Sequence, residues 1–90
     1  MNSVITGGYK LITATGNVSP ITTDLLGIFV SAASSTPTIT IYDSATTTTT
    51  AKVVETFTPV AATYYTIPAS LGAGLYIVIG GTVSATVFFG

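Results

Sequence analysis

Five side chains carry all the charge in this 90-residue sequence: Lys10, Asp24, Asp43, Lys52 and Glu55. There is no histidine and no cysteine. The imidazole base, the thiol nucleophile and the usual nitrogen and sulfur metal ligands are therefore missing. What remains is carboxylate chemistry. Two carboxylates flanking a sugar ring hydrolyse glycosides, and carboxylates with threonine hydroxyls bind calcium through oxygen alone. The positions favour neither. Asp24 opens a strand, Asp43 starts a turn and Glu55 lies within a strand, and nothing in their spacing brings two together or follows a calcium-loop pattern. The glycines of "GLYIVIGG" (74–81) lack the Lys-Ser/Thr ending and the following helix of a phosphate loop. No catalytic residue, metal or cofactor is expected.

The other candidate groups have plainer roles. Glu55, among Val53, Val54 and Phe57, either points inward and pairs with Lys10 or Lys52, or points outward and guards a sheet edge against stray pairing; the second is preferred. Tyr64 and Tyr65 sit side by side. They offer either an aromatic platform for a sugar or one buried and one rim-covering ring with wet hydroxyls.

The elements that must position these groups are β-strands. Threonine is the most frequent residue, and with Val, Ile, Tyr and Phe it makes the sequence β-favouring. Alternation of period two marks seven segments: 9–15, 24–33, 36–43, 51–59, 63–68, 74–80 and 82–89. The last two read as a hairpin across Gly80-Gly81. Leu26, Ile28 and Val30 form one stripe, as do Ile39 and Ile41, Leu75, Ile77 and Ile79, and Val83, Ala85, Val87 and Phe89. A single helical turn is expected near 68–74, and "DSATTTTTA" (43–51) reads as a loop. Short strands at regular turn spacing predict an all-β fold, a small antiparallel β-sandwich of jelly-roll or immunoglobulin-like kind with seven to eight strands. Residues 9–90 form the one domain, with residues 1–8 as an N-terminal arm.

Only 6% of the residues are charged and 48% are hydrophobic, against about 25% charged in ordinary soluble domains. With two lysines and no arginine, a nucleic-acid partner is excluded, because displacing counterions needs clustered cations. Apolar runs such as "LLGIFV" (25–30) fall short of the roughly 20 residues of a spanning helix. No membrane role is expected, and no signal-peptide pattern opens the sequence. Several strands carry large apolar groups on both faces: Phe29 opposite Ile28 and Val30, Tyr76 and Val78 opposite Ile77, and Phe88 beside Phe89. One face is core. The other is covered either by a lasting partner or by the curl and loops of the domain itself. The candidate interface residues are Phe29, Tyr76, Val78, Phe88 and Phe89.

The stretch from residue 25 to 90 resembles small structural proteins of tailed-bacteriophage virions. The likeness lies in Leu25-x-Gly27-Ile28-x-Val30, in a Thr/Ser-rich strand ending at Tyr42-Asp43, and in Lys52-Val53-Val54 followed by Phe57-x-Pro59. It continues through an aromatic strand ending at Pro68 and a terminal Gly74-Leu75-Tyr76-x-x-Ile79-Gly80-Gly81-Thr82-x-x-x-Thr86-Val87-Phe88. The resemblance implies a β-sandwich on the virion, foremost a capsid decoration (cement) protein that bridges capsomers. It implies homo-oligomers, trimers above all, and the major capsid protein or other virion proteins as partners. Such a protein is made in the bacterial cytoplasm and sits on the capsid surface. A head-fibre base, neck or tail accessory subunit is the near alternative, and a carbohydrate-binding module the distant one.

Overall fold

A computed structural model describes residues 8–90 of the chain. The expected arm over 1–8 therefore lies outside the described residues, except for Gly8, which already belongs to the first strand. The fold is all-β. Its strands are β1 (Gly8–Ile12), β2 (Gly16–Ser19), β3 (Thr23–Asp43), β4 (Lys52–Phe57), β5 (Thr63–Leu71) and β6 (Leu75–Phe89). They form one antiparallel sheet. Among the described residues there is no helix, and so none long and apolar enough to cross a membrane.

Two long strands organise the sheet. β3 has 21 residues and β6 has 15, and they pair along nearly their whole length, from Leu25 with Phe89 to Asp43 with Leu75. At about 3.3 Å per residue a straight β3 would run roughly 70 Å, yet the longest dimension of the molecule is 43 Å. Both strands must bend, and they bend together. In β3 the register shifts between Ser34 and Thr38, where Ser35 and Thr36 adopt φ of 59° and 52°. Opposite them Gly81 has φ 69°.

The bend divides the sheet into two four-stranded portions. In one, β5 pairs with the start of β3, which pairs with the end of β6, which pairs with β1. In the other, β4 pairs with the end of β3, which pairs with the start of β6, which pairs with β2. Thr15, between β1 and β2, spans the bend: its hydroxyl accepts from the Ile79 amide at 2.8 Å and lies 3.2 Å from the Ile79 carbonyl as donor. The far ends of β3 are drawn together by the three-residue turn after β5, because Leu71 pairs with Thr23 and Leu75 with Asp43. The Asp43 carboxylate fixes that turn, accepting the amides of Gly72, Ala73 and Gly74 at 3.1, 2.8 and 3.2 Å.

Both portions feed one core. Leu25, Ile28, Val30, Val83, Ala85 and Val87 from the first join Ile39, Ile41, Leu75 and Ile77 from the second. Phe57 of β4 meets Tyr65 of β5 with ring centroids 5.2 Å apart. The alternation in the sequence thus locates the core stripes.

Four local expectations need correction. β6 runs unbroken through Gly80-Gly81, so these residues make a bend and not a hairpin. Segments 24–33 and 36–43 are likewise one strand; these two mergers leave five of the seven expected strands, and β2, which lies outside all seven segments, makes the count six. Strand β5 continues to Leu71, where a helical turn was expected. Leu25, and not Leu26, lies in the core, because the ladder shifts between Leu25 and Gly27. A second shift in β4 puts Val54 and Phe57 both against the core, leaving Glu55 outside.

Candidate docking surface

The first portion of the sheet has an outer face that the register defines position by position. One cross-strand row is Thr66–Gly27–Phe88–Tyr9, and the next row on the same face is Tyr64–Phe29–Thr86–Leu11. The alternate rows, Tyr65–Ile28–Val87 and Thr63–Val30–Ala85–Ile12, lie on the core side, with Lys10 exposed at the edge beside Val87. Five of the eight outer positions are large apolar or aromatic residues, and none is charged.

These five are exposed: Tyr9 74%, Leu11 61%, Tyr64 48%, Phe29 38% and Phe88 36%. At about 200 Å² for a whole large side chain, they leave on the order of 500 Å² of contiguous surface in water. That lies in the range of the largest, often functional, patch on a monomer. Withdrawing it from water gains about 12 kcal/mol at ~25 cal/mol/Å², before the cost of association is subtracted. The face is pre-arranged. The Tyr64 ring lies across Gly27, where a Cβ would come within 2.6 Å of its Cζ. From there it meets Phe88 edge-on at 6.2 Å.

The outer face of the second portion is different. It carries Thr38, Tyr42 and Val78, all half-buried, and Thr40 and Tyr76, both buried, and the Thr40 hydroxyl is hydrogen-bonded to that of Thr56 at 2.6 Å. Its edge strand β4 carries the exposed ion pair Lys52–Glu55 at 2.6 Å. Glu55 thus points outward, and it pairs with Lys52 as well.

The candidate interface residues separate accordingly. Phe29 and Phe88 stand on the apolar face. Tyr76 is only 8% exposed, flanked by Tyr42 at 6.0 Å and paired with Asn17. Phe89 is half-buried and packs against the core, so little of Tyr76, and only part of Phe89, is left to a partner. Val78 is half-buried on the other portion. Tyr64 is exposed, while Tyr65 turns inward and its hydroxyl accepts the Val60 amide at 2.9 Å. Tyr9 and Leu11 are the additions that sequence reading missed. Their signal was the alternation of Tyr9 and Leu11 against Lys10 and Ile12.

The carboxylates are dispersed. Asp43 is engaged by the turn amides. The Ala73 amide above all, with those of Gly74 and Gly72, holds its carboxyl below the ordinary carboxylate range against a contrary push from burial. The hydrogen bond and charge of Lys52 lower Glu55, and Glu55 raises Lys52 in return. Asp24 is exposed at the start of β3. Among the described residues no cluster of three or more potential ligands is placed to hold a metal ion. Comparison with protein-family models, curated proteins and solved structures finds no match to this chain.

Proposed function

We propose that this chain is a structural subunit of a tailed-bacteriophage virion, a capsid decoration protein that binds the head shell and stabilises it by bridging capsomers. In this reading the bent sheet is a β-sandwich of jelly-roll kind, its two layers being the two four-stranded portions. The single core fed from both portions supports that architecture, as does the Phe57–Tyr65 contact between β4 and β5.

The observation that carries the proposal is the uncharged apolar face of Tyr9, Leu11, Phe29, Tyr64 and Phe88. A decoration protein works by binding energy alone. It favours the assembled shell over its parts by ordinary mass-action linkage, and needs no titrating group for that. It does need apolar surface that remains after folding for lasting contact with neighbouring subunits, its own copies included. The sequence resemblance over residues 25–90 points to the same class.

The test is to fractionate particles from cells in which this chain is made during phage growth. The chain should sediment with the heads in a fixed ratio to the main shell protein, and heads stripped of it should lose their contents at lower temperature. Absence of the chain from all particle fractions refutes the proposal. Presence only on tails or necks moves the chain to an accessory subunit there.

A further inference from the structure

We infer that the apolar face of β5–β3–β6–β1 is occupied by the same face of a second copy, related by a two-fold axis. This rests on the reading of the chain as an assembly subunit and assigns that surface to pairing between subunits, so that the pair meets the shell through its remaining surface.

Area is the first argument. A standard interface buries about 800 Å² per partner, of which roughly 56–65% is apolar, or about 450–520 Å². The face supplies on the order of 500 Å², the apolar share of one such interface and no more. The other exposed large apolar side chains among the described residues are Ile21, Val53 and Val60. They are scattered: Ile21 precedes β3, Val53 lies on β4 and Val60 follows β4. They make no second face.

Symmetry is the second argument. A ring of three needs two different, mutually complementary patches on every subunit, whereas a two-fold pair uses one patch twice. One apolar patch therefore fits a pair, and not the trimer that the resemblance implies.

Charge is the third. Copies docking face to face bring like groups together, which is costly when the face is charged. None of the eight positions in the two rows is charged, so a second copy meets no repulsion there. Their polar groups are the hydroxyls of Tyr9, Tyr64, Thr66 and Thr86. That is a poor set for reading a sugar, but it is consistent with an aromatic-centred protein contact.

Sedimentation velocity on the full chain, from about 0.1 to 100 μM in low and high salt, reads the state directly. The expected result is a dimer that high salt does not dissociate. Phe88→Thr and Phe29→Thr should each weaken it by about 30-fold or more while the circular dichroism spectrum is retained. Hydroxyl-radical footprinting of the unaltered protein needs no variant: Tyr9, Tyr64 and Phe88 should be protected in concentrated solution and labelled in dilute solution.

A trimer, a monomer at 100 μM, or a dimer with these three residues fully labelled overturns the inference. So does a monomer whose face binds oligosaccharides on a glycan array. A monomer that still sediments with phage heads overturns the pairing and leaves the decoration role standing. A dimer absent from every particle does the reverse.

Discussion

Replacing Gly81 by alanine probes the bend on which the fold depends. The residue sits at φ 69°, a conformation that costs an L-residue about 1–2 kcal/mol. A Cβ there would also collide with the carbonyl oxygen of Ser35, lie 2.9 Å from that of Thr36 and reach 3.0 Å from Cα of Pro37. These are backbone atoms of the facing bend and cannot rotate away. Relieving such overpacking costs a further 1–3 kcal/mol or so, for a total of about 2–5 kcal/mol. A domain of this size is stable by roughly 5–13 kcal/mol, and each kcal/mol shifts Tm by about 4–8 °C. Gly81→Ala should therefore melt roughly 8–40 °C below the unaltered chain, read by circular dichroism or calorimetry. Gly80→Ala is the matched control. Its Cβ would meet only the Thr38 side chain, which can rotate aside, so the loss should stay within about 1 kcal/mol. A two-residue hairpin turn of type I′ would suffer at both positions, since both need positive φ. Equal losses at Gly80 and Gly81, or a Gly81→Ala protein within a few degrees of the unaltered one, would refute the nested bend.

Three further predictions follow from named contacts. Ser35-Thr36→Asn-Gly places residues that accept left-handed φ where two ill-suited ones now stand, and should raise Tm by several degrees in a thermal melt. Asp43→Asn removes the charge that three turn amides bond, and should cost about 1.5–3 kcal/mol in a urea titration near neutral pH. The folded Asp43 pKa is depressed, so its stabilisation is complete above the ordinary value of 3.8 and is lost as pH falls from there through the folded value. The unaltered chain should lose stability over that acid window, and Asp43→Asn should largely flatten the slope. Glu55 adds little there because its ion pair is exposed. Gly27→Ala brings a Cβ onto the Tyr64 ring and within 2.7 Å of the Tyr65 carbonyl oxygen. It should lower Tm and weaken self-association together, as sedimentation at matched concentrations would record.

Local alternation made the core stripes legible. Ile39 and Ile41, Leu75 and Ile77, and Val83, Ala85 and Val87 each show period two within a few residues, and each is buried. The threonine-rich loop was equally plain from composition. Bends and bulges were not. A Gly-Gly pair serves a hairpin and a bend alike, and the difference lies in Ser34–Thr38, a partner far away in sequence. The bulge between Leu25 and Gly27 exchanges two adjacent leucines between core and flank, a shift set by the pairing of β3 with β5 and β6. Period two put Tyr76 correctly on an outer face. Its burial comes from Tyr42 and Asn17, which reach it only once β2 and β3 flank β6. Phe29 and Phe88 were recognised because their strands are apolar on both sides. Tyr9 and Leu11 were missed because a lysine stands between them on a short edge strand, and only the pairing of β1 with β6 sets them beside Phe88 and Thr86.

A cryo-electron microscopy reconstruction of the assembled particle shows whether the apolar face of β5–β3–β6–β1 is covered. Density of a neighbouring polypeptide packed over Tyr9, Leu11, Phe29, Tyr64 and Phe88 is the expected result. Those five side chains lying open to solvent in the assembled state would contradict it.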